Sequence, residues 1–164
     1  MTPAAVRAYV GLGSNLADPA QQVRAGLAAL DALPQTKVVQ RSSLYRTAPV
    51  GLAEQPDFIN AVCAIDTALA PQPLMQHLLA IEQAHGRVRA HAGGPRTLDL
   101  DLLLYGDAQL DASTVTVPHP RLHERAFVLY PLSEIAPGLS IPGRGSVAEL
   151  LRRCTGQAVE RVRA

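Results

Sequence analysis

Leu98-Asp99-Leu100-Asp101-Leu102-Leu103-Leu104-Tyr105 alternates apolar and acidic residues and then runs into unbroken leucine. A period of two belongs to a strand, and it turns Leu98, Leu100 and Leu102 to one face and Asp99 and Asp101 to the other. The two carboxylates then stand about 7 Å apart along the chain. Aspartate is a poor strand former, so a pair of them inside an apolar strand needs a reason. One reason is a half-buried strand with a wet outer face. The other is a pair of hard-oxygen ligands, which suits magnesium; in nucleotide enzymes it takes one or two carboxylates and completes its shell with water and phosphate oxygens.

Upstream lies Arg87-Val-Arg-Ala-His-Ala-Gly-Gly-Pro-Arg96, ten residues without an acidic group and with a Gly-Gly-Pro break. It reads as a mobile, positive loop, and arginines beside a carboxylate pair supply the other half of a metal-and-phosphate clamp. Lys37 is the only lysine among 15 basic residues. Arginine forks suit phosphate oxygens, although a general preference for arginine with solvated side chains gives the same count. The loop follows a helix predicted from Pro71 to His85, with Leu74, Leu78 and Ile81 toward a core and Gly86 as terminator. Glu82 on that helix is near this basic region or on a solvated face.

Toward the N-terminus, Ala8 to Gly13 reads as a strand, and Asp18-Pro19 supplies an N-cap and first-turn proline for a helix carrying Val23, Leu27 and Leu30. Val38 to Tyr45 reads as a strand, Pro49 and Gly51 break the chain, and Phe58 to Thr67 resumes as strand. Downstream, Val115 to Val117 reads as a strand, and Ala126 to Ile135 and Val147 to Arg153 as helices. This order predicts one α+β domain over residues 1–164, a ferredoxin-like βαββαβ sheet with helices packed on one face and long active-site loops.

Composition narrows the function. With 48% hydrophobic and 18% charged residues, the chain is globular rather than disordered. A net charge of +1 argues against a general nucleic-acid binder. No apolar run reaches membrane-spanning length, and the start lacks a secretory pattern, so a cytoplasmic protein without membrane association is expected. Cys63 and Cys154 show no metal-ligand spacing. A Walker-type kinase is excluded, because no Gly-x-x-x-x-Gly-Lys-Ser/Thr occurs. Gly11-Leu-Gly13 lacks the third glycine of a dinucleotide fingerprint, leaving a tight turn or a close backbone approach to a ligand as its purpose. An RNA reader of similar layout would carry surface aromatics and an RNP1 pattern, and at 4% aromatic residues this chain has neither.

Five segments occur in order: Tyr9-Val-Gly-Leu-Gly-Ser-Asn-Leu16, Ser42-Ser-Leu-Tyr-Arg-Thr-Ala-Pro-Val-Gly51, Gln55-Pro-Asp-Phe-Ile-Asn60, Gly94-Pro-Arg-Thr-Leu-Asp-Leu-Asp101 and Val117-Pro-His-Pro-Arg-Leu-His-Glu-Arg-Ala-Phe127. Together they resemble the 6-hydroxymethyl-7,8-dihydropterin pyrophosphokinase family, from about Ala8 to Pro137. The resemblance implies an enzyme that transfers the β,γ-diphosphate of MgATP to the pterin hydroxymethyl oxygen and releases AMP, with a non-catalytic pterin- or nucleotide-binding module as the alternative. It implies two magnesium ions on Asp99 and Asp101, with Arg87 and Arg96 completing the catalytic set. Phe58 and Phe127 match rings that sandwich the pterin, Asn60 the amide at its edge, and Thr47 and the backbone around Val50 its remaining contacts. Arg87, Arg89, Arg96, Thr116, His119 and Arg125 match nucleotide contacts, with Leu102 offering its backbone to the base. His119 is expected to hydrogen-bond phosphate rather than abstract a proton, while His77, His85, His91 and His123 are expected on the surface. ATP and the pterin are the expected partners of a monomer that binds no nucleic acid.

The basic loop departs from the family pattern. Some members carry a basic-aromatic pair before Gly94-Pro-Arg96, where this chain has Ala92 and Gly93 and is one residue shorter. Ala90 stands where a lysine can occur, and Pro120 replaces an aromatic found in some members. A loop without that aromatic closes less tightly over nucleotide. Hydrogen exchange should therefore show amide protection across residues 87–96 rising only in part when nucleotide binds, and full protection would count against a weakened closure.

Overall fold

Strand β1 (Val6–Ser14) is an interior strand of the main sheet, where its alternate residues must satisfy two different environments. In this computed structural model, residues 4–15, 18–48, 57–85 and 98–162 are described. After β1 come α1 (Pro19–Asp31), β2 (Thr36–Arg41), β3 (Leu44–Thr47), β4 (Phe58–Thr67), α2 (Pro71–Ala84), β5 (Asp99–Tyr105), β6 (Leu110–Asp111) and β7 (Thr116–Val117). The chain continues with α3 (Ala126–Ile135), β8 (Ser140–Ile141), β9 (Gly145–Ser146), α4 (Val147–Arg153) and β10 (Val159–Val162). The main sheet runs β10-β3-β4-β1-β5, with β2 also on β4, and every pairing is antiparallel.

The segment expected as one strand from Val38 to Tyr45 is two. At the break, Ser42 donates its backbone N–H to the Val62 carbonyl at 2.9 Å, and its hydroxyl accepts the Val62 N–H at 3.0 Å. A side-chain oxygen thus replaces a ladder carbonyl, and two short strands pair in succession with the same edge of β4. Asp18 occupies the N-cap of α1 at φ 61°, yet its side chain makes no capping bond; Pro19 alone fulfils the expectation. The proposed terminator Gly86 lies outside the described residues.

Each face of the sheet carries its own apolar cluster. Ala8, Val10 and Leu12 of β1, Ile59 to Ile65 of β4 by alternation, and Leu98, Leu100 and Leu102 pack against Val23, Leu27 and Leu30 of α1 and Leu74, Leu78 and Ile81 of α2. On the opposite face, Tyr9, Val62, Ala64, Leu103 and Leu104 meet Val128, Leu129, Leu132 and Ile135 of α3 and Val147 and Leu150 of α4. Helices therefore cover both faces, not one as the element order suggested. The cause is legible in β4, whose Phe58-Ile-Asn-Ala-Val-Cys-Ala-Ile65 is apolar in both phases of the alternation and so must be covered twice. Each buried leucine contributes roughly 1.5–3 kcal/mol of transfer free energy to these interfaces. Among the described residues no helix is long and apolar enough to cross a membrane.

Glu134 ties α3 to the sheet edge. Its carboxylate accepts from the Ser43 N–H at 3.0 Å, the Ser43 hydroxyl at 3.0 Å and the Tyr45 hydroxyl at 2.6 Å, and Arg161 of β10 lies 3.6 Å away. Burial pushes the Glu134 carboxyl upward, but the bonds from Tyr45 and Ser43 and the charge of Arg161 outweigh it, so its pKa falls below 4.5. Burial, with the hydrogen bond to Glu134, pushes the Tyr45 phenol up to about 12. A carboxyl lowered by folding contributes stability that is present above its unfolded pKa and lost as pH falls through the folded value. Glu134→Gln is expected to cost about 1 kcal/mol at pH 7 and to flatten the acid limb of the stability curve, as urea unfolding at pH 7 and pH 4 would show.

Candidate functional site

The sheet register assembles the site before any loop is considered. Asn60 of β4 stands opposite Gly13 of β1, which stands opposite Asp99 of β5; two rungs along, on the same face, are Val62, Gly11 and Asp101. Asp99 and Asp101 are half-buried and point away from the face that buries Leu98, Leu100 and Leu102, as the alternation predicts. Each carboxylate therefore has a glycine beside it. A Cβ on Gly13 would come within 2.9 Å of Asn60 Oδ1, and one on Gly11 within 3.5 Å of Leu103. Both glycines lie inside β1, so the expected tight turn fails, and what their bare backbone leaves is room beside Asn60 and Leu103. Asn60 is buried and donates from Nδ2 to Thr47 Oγ1 at 2.9 Å, and Thr47 is the register partner of Phe58.

The start of α3 supplies the facing side chains. Arg125 Nη1 lies 3.9 Å from Asp101 Oδ2, and its guanidinium carbon is 5.5 Å from the ring centre of Phe127. Paired hard-oxygen donors on an open strand face fit magnesium chemistry, and among the described residues no third His, Cys, Asp or Glu gathers with them. Such a donor set leaves most of the coordination shell to water and to phosphate oxygens.

His119 approaches from the outer edge of β5, where its backbone N–H donates to the Leu103 carbonyl at 2.9 Å. Its Nδ1 accepts the Arg121 N–H at 3.2 Å, which assigns the ring proton to Nε2. Burial, then the charges of Arg125 and Arg121, push its pKa down to about 4 against the opposing pull of Asp99. The imidazole is neutral at pH 7, a donor through Nε2 and a poor base. Leu100, Asp101, Leu102, Thr116, His119 and Pro120 line a cavity of about 270 Å³ together with Met75 and residues 113–115.

Two groups on the open edge of β5 are thus bonded: the Leu103 carbonyl by His119, and the Leu100 N–H by Glu82 Oε2 at 2.7 Å. Glu82 is 2% exposed, so of its two expected places the solvated helix face fails and the one near the site stands. The signal was available, because Glu82 follows Leu78 by four positions and so shares its buried stripe. Its carboxylate holds the residue between Asp99 and Asp101.

Of the expected pterin contacts, Thr47, Phe58 and Asn60 come together by register, and Phe127 lies under the Arg125 guanidinium that pairs with Asp101; Val50 is outside the described residues. Of the expected nucleotide contacts, Leu102, Thr116 and His119 share the cavity with Asp101, and Arg125 pairs with Asp101. Arg87, Arg89 and Arg96 lie outside the described residues. His123, expected on the surface, is half-buried with Nδ1 enclosed, and His85 Nδ1 is 2.9 Å from Gln22 Oε1. Met75, Ser113, Thr114 and Val115 carried no signal in the sequence, because their place beside the carboxylates arises only when the 113–120 segment folds back along β5.

Residues 9–137 match the model of the family described as 7,8-dihydro-6-hydroxymethylpterin-pyrophosphokinase (HPPK). A 2-amino-4-hydroxy-6-hydroxymethyldihydropteridine pyrophosphokinase of Pseudomonas aeruginosa is 50% identical over 156 residues, covering 95% of this chain and 96% of the relative. Its namesake from Haemophilus influenzae is 44% identical over 148 residues, covering 90% and 92%. In three dimensions the chain is similar to a wild-type Plasmodium falciparum HPPK-DHPS crystallised with pteroate, with a TM-score of 0.68 over 91% of this chain at 14% identity. It spans 42% of that longer chain. A family model over more than half of the residues and near-full-length relatives at this identity lead to one conclusion: the chain belongs to the 7,8-dihydro-6-hydroxymethylpterin-pyrophosphokinase family.

Proposed function

We propose that this chain transfers the β,γ-diphosphate of ATP to the hydroxymethyl oxygen of 6-hydroxymethyl-7,8-dihydropterin, releasing AMP, as a step of folate synthesis. The observation that supports this reading is the three-strand rung Asn60, Gly13 and Asp99, in which an amide suited to a heterocycle edge and a carboxylate suited to a metal flank a glycine. With β2 and β3 counted as one interrupted strand along β4, the order from β1 to β5 is read as the βαββαβ of a ferredoxin-like sheet, with the α3 and α4 layer added on its second face. The protein is taken as a cytoplasmic monomer.

In this reading the pterin stacks between Phe58 and Phe127, since a flat heteroaromatic gains from a ring on each face. The Asn60 amide offers both a donor and an acceptor to the heterocycle edge, and its orientation is set by the bond to Thr47. The backbone around Val50 completes the pocket. ATP lies along β5, with the Leu102 backbone at the base, Thr116 as a further nucleotide contact and the His119 Nε2–H donating to phosphate. Arg125, Arg87, Arg89 and Arg96 offset charge on the phosphates, Arg87 and Arg96 at the oxygen leaving with AMP. Asp99 and Asp101 would hold two magnesium ions, which when bound neutralise the polyphosphate and polarise the transferred group. Phosphoryl-type transfer asks mainly for alignment, and a rigid strand with both edges bonded supplies it.

The test is AMP release from MgATP with and without the pterin, beside an Asp99→Ala variant. Pterin-dependent AMP, reduced about a hundredfold or more in the variant, is expected. ADP as product, or AMP formed regardless of pterin, would sink the proposal; binding of both substrates without turnover would favour the non-catalytic module. A second variant addresses the pterin pocket. Gly13→Ala forces its new methyl against Asn60 Oδ1, and steady-state kinetics should show the KM for pterin rising roughly tenfold while that for ATP stays near wild type.

A further inference from the structure

The segment after residue 137 lies outside the family match, yet it reaches the site from behind. Gly156, at φ 78°, turns the chain between α4 and β10 in a conformation that other residues resist. Gln157 follows. Its Nε2 donates to the Glu124 carbonyl at 2.8 Å and its Oε1 accepts the Ala126 N–H at 2.9 Å. One side-chain amide thereby makes the two bonds that a neighbouring strand would make, one on each side of Arg125.

Arg125 is extended at φ −110° and ψ 105°, and it is the N-cap of α3 without a side-chain cap bond of its own. Ala126 carries the first N–H of that helix, a donor that no intrahelical carbonyl can serve. Gln157 serves it from a distant part of the chain. The bridge encloses Arg125, whose guanidinium lies 3.9 Å from Asp101, and directly precedes Phe127, over whose ring that guanidinium sits. Two residues later the same segment enters β10, where Val159 pairs with Thr47, the residue that holds Asn60.

We infer that Gln157 is a positioning residue: its amide holds the backbone of residues 124–126 so that Arg125 and Phe127 present guanidinium and ring to the substrates. This rests on the proposed function for what those two side chains contact. Because the amide is exposed, its loss loosens the start of α3 without opening the apolar cluster beneath.

Gln157→Ala, Gln157→Glu and, as a control on the same segment, Arg153→Ala separate positioning from general stability. Exchange at the Ala126 amide, thermal midpoint, KM and kcat for AMP formation, and equilibrium binding of 6-hydroxymethyl-7,8-dihydropterin by its own fluorescence are the readouts. Gln157→Ala is expected to speed exchange at Ala126 and to raise the KM and dissociation constant for pterin about five- to tenfold, with kcat changed less. Gln157→Glu keeps the acceptor for Ala126, loses the donor to Glu124, and should fall between wild type and alanine; it decides the matter if the alanine variant does not fold. Arg153→Ala should leave both constants unchanged. Pterin binding that stays at the wild-type level while Ala126 exchange accelerates would overturn the inference, as would equal weakening by Arg153→Ala. A wild-type protein that binds pterin but forms no pterin-dependent AMP would remove the proposed reaction and leave the binding comparison standing.

Discussion

Unbroken antiparallel pairing of β1 with β4, from Val6 opposite Thr67 to Ser14 opposite Ile59, is the constraint on which the rest of the structure depends. Because a strand's faces alternate, one register places Ala8, Val10 and Leu12 under α1 and α2 and leaves Tyr9, Gly11 and Gly13 on the other side. A slip of one residue would put the glycines in the core and Leu12 in the site. The same register sets Gly13 beside Asn60, and through β1 it sets Asp99 one strand further on. Three residues that are far apart in sequence thus share a rung because of backbone hydrogen bonds, with no side-chain bond needed to bring them there.

The β1–β5 pairing carries one irregularity, and it divides the site from the core. Tyr9 is opposite Leu104 but Val10 is opposite Leu102, so Leu103 is an extra residue in β5. Before the bulge, Asp99 and Asp101 face the second side; after it, Leu104 joins Leu103 there and Tyr105 swings to the first side, where its hydroxyl donates to the Leu69 carbonyl at 2.6 Å. One strand therefore offers carboxylates at one end and core leucines at the other, on the same face. A bulge commonly serves to re-aim side chains next to a functional site.

Much of this was legible, and the limits have physical causes. The strand from Phe58 to Thr67 and the helices from Ala126 and Val147 have the predicted ends, and Asp99 and Asp101 face where a period of two puts them. The bulge at Leu103 was not legible, because a run of identical leucines has no alternation to lose. The second helical layer was missed because order along the chain does not say which face a helix covers. Glu134 and Gln157 were missed because their partners lie 89 to 91 and 31 to 33 positions away, beyond any local pattern. The aromatic pair Phe58 and Phe127 came only with the family resemblance; taken singly, each reads as a core residue.

Charge in the site follows from the same packing. Two carboxylates on one strand face would repel a polyphosphate, and Arg125 stands 3.9 Å from one of them, Asp101. His119 adds none, since burial beside Arg125 and Arg121 holds it neutral at pH 7. A nucleotide carrying its own divalent cations meets the opposite balance, with the carboxylates as ligands rather than as repelling charges. Under the proposed function, then, the species this surface selects is the magnesium complex of ATP and not the free nucleotide. A neutral His119 is part of that selection, because a second fixed cation beside Arg125 would compete with metal for Asp99.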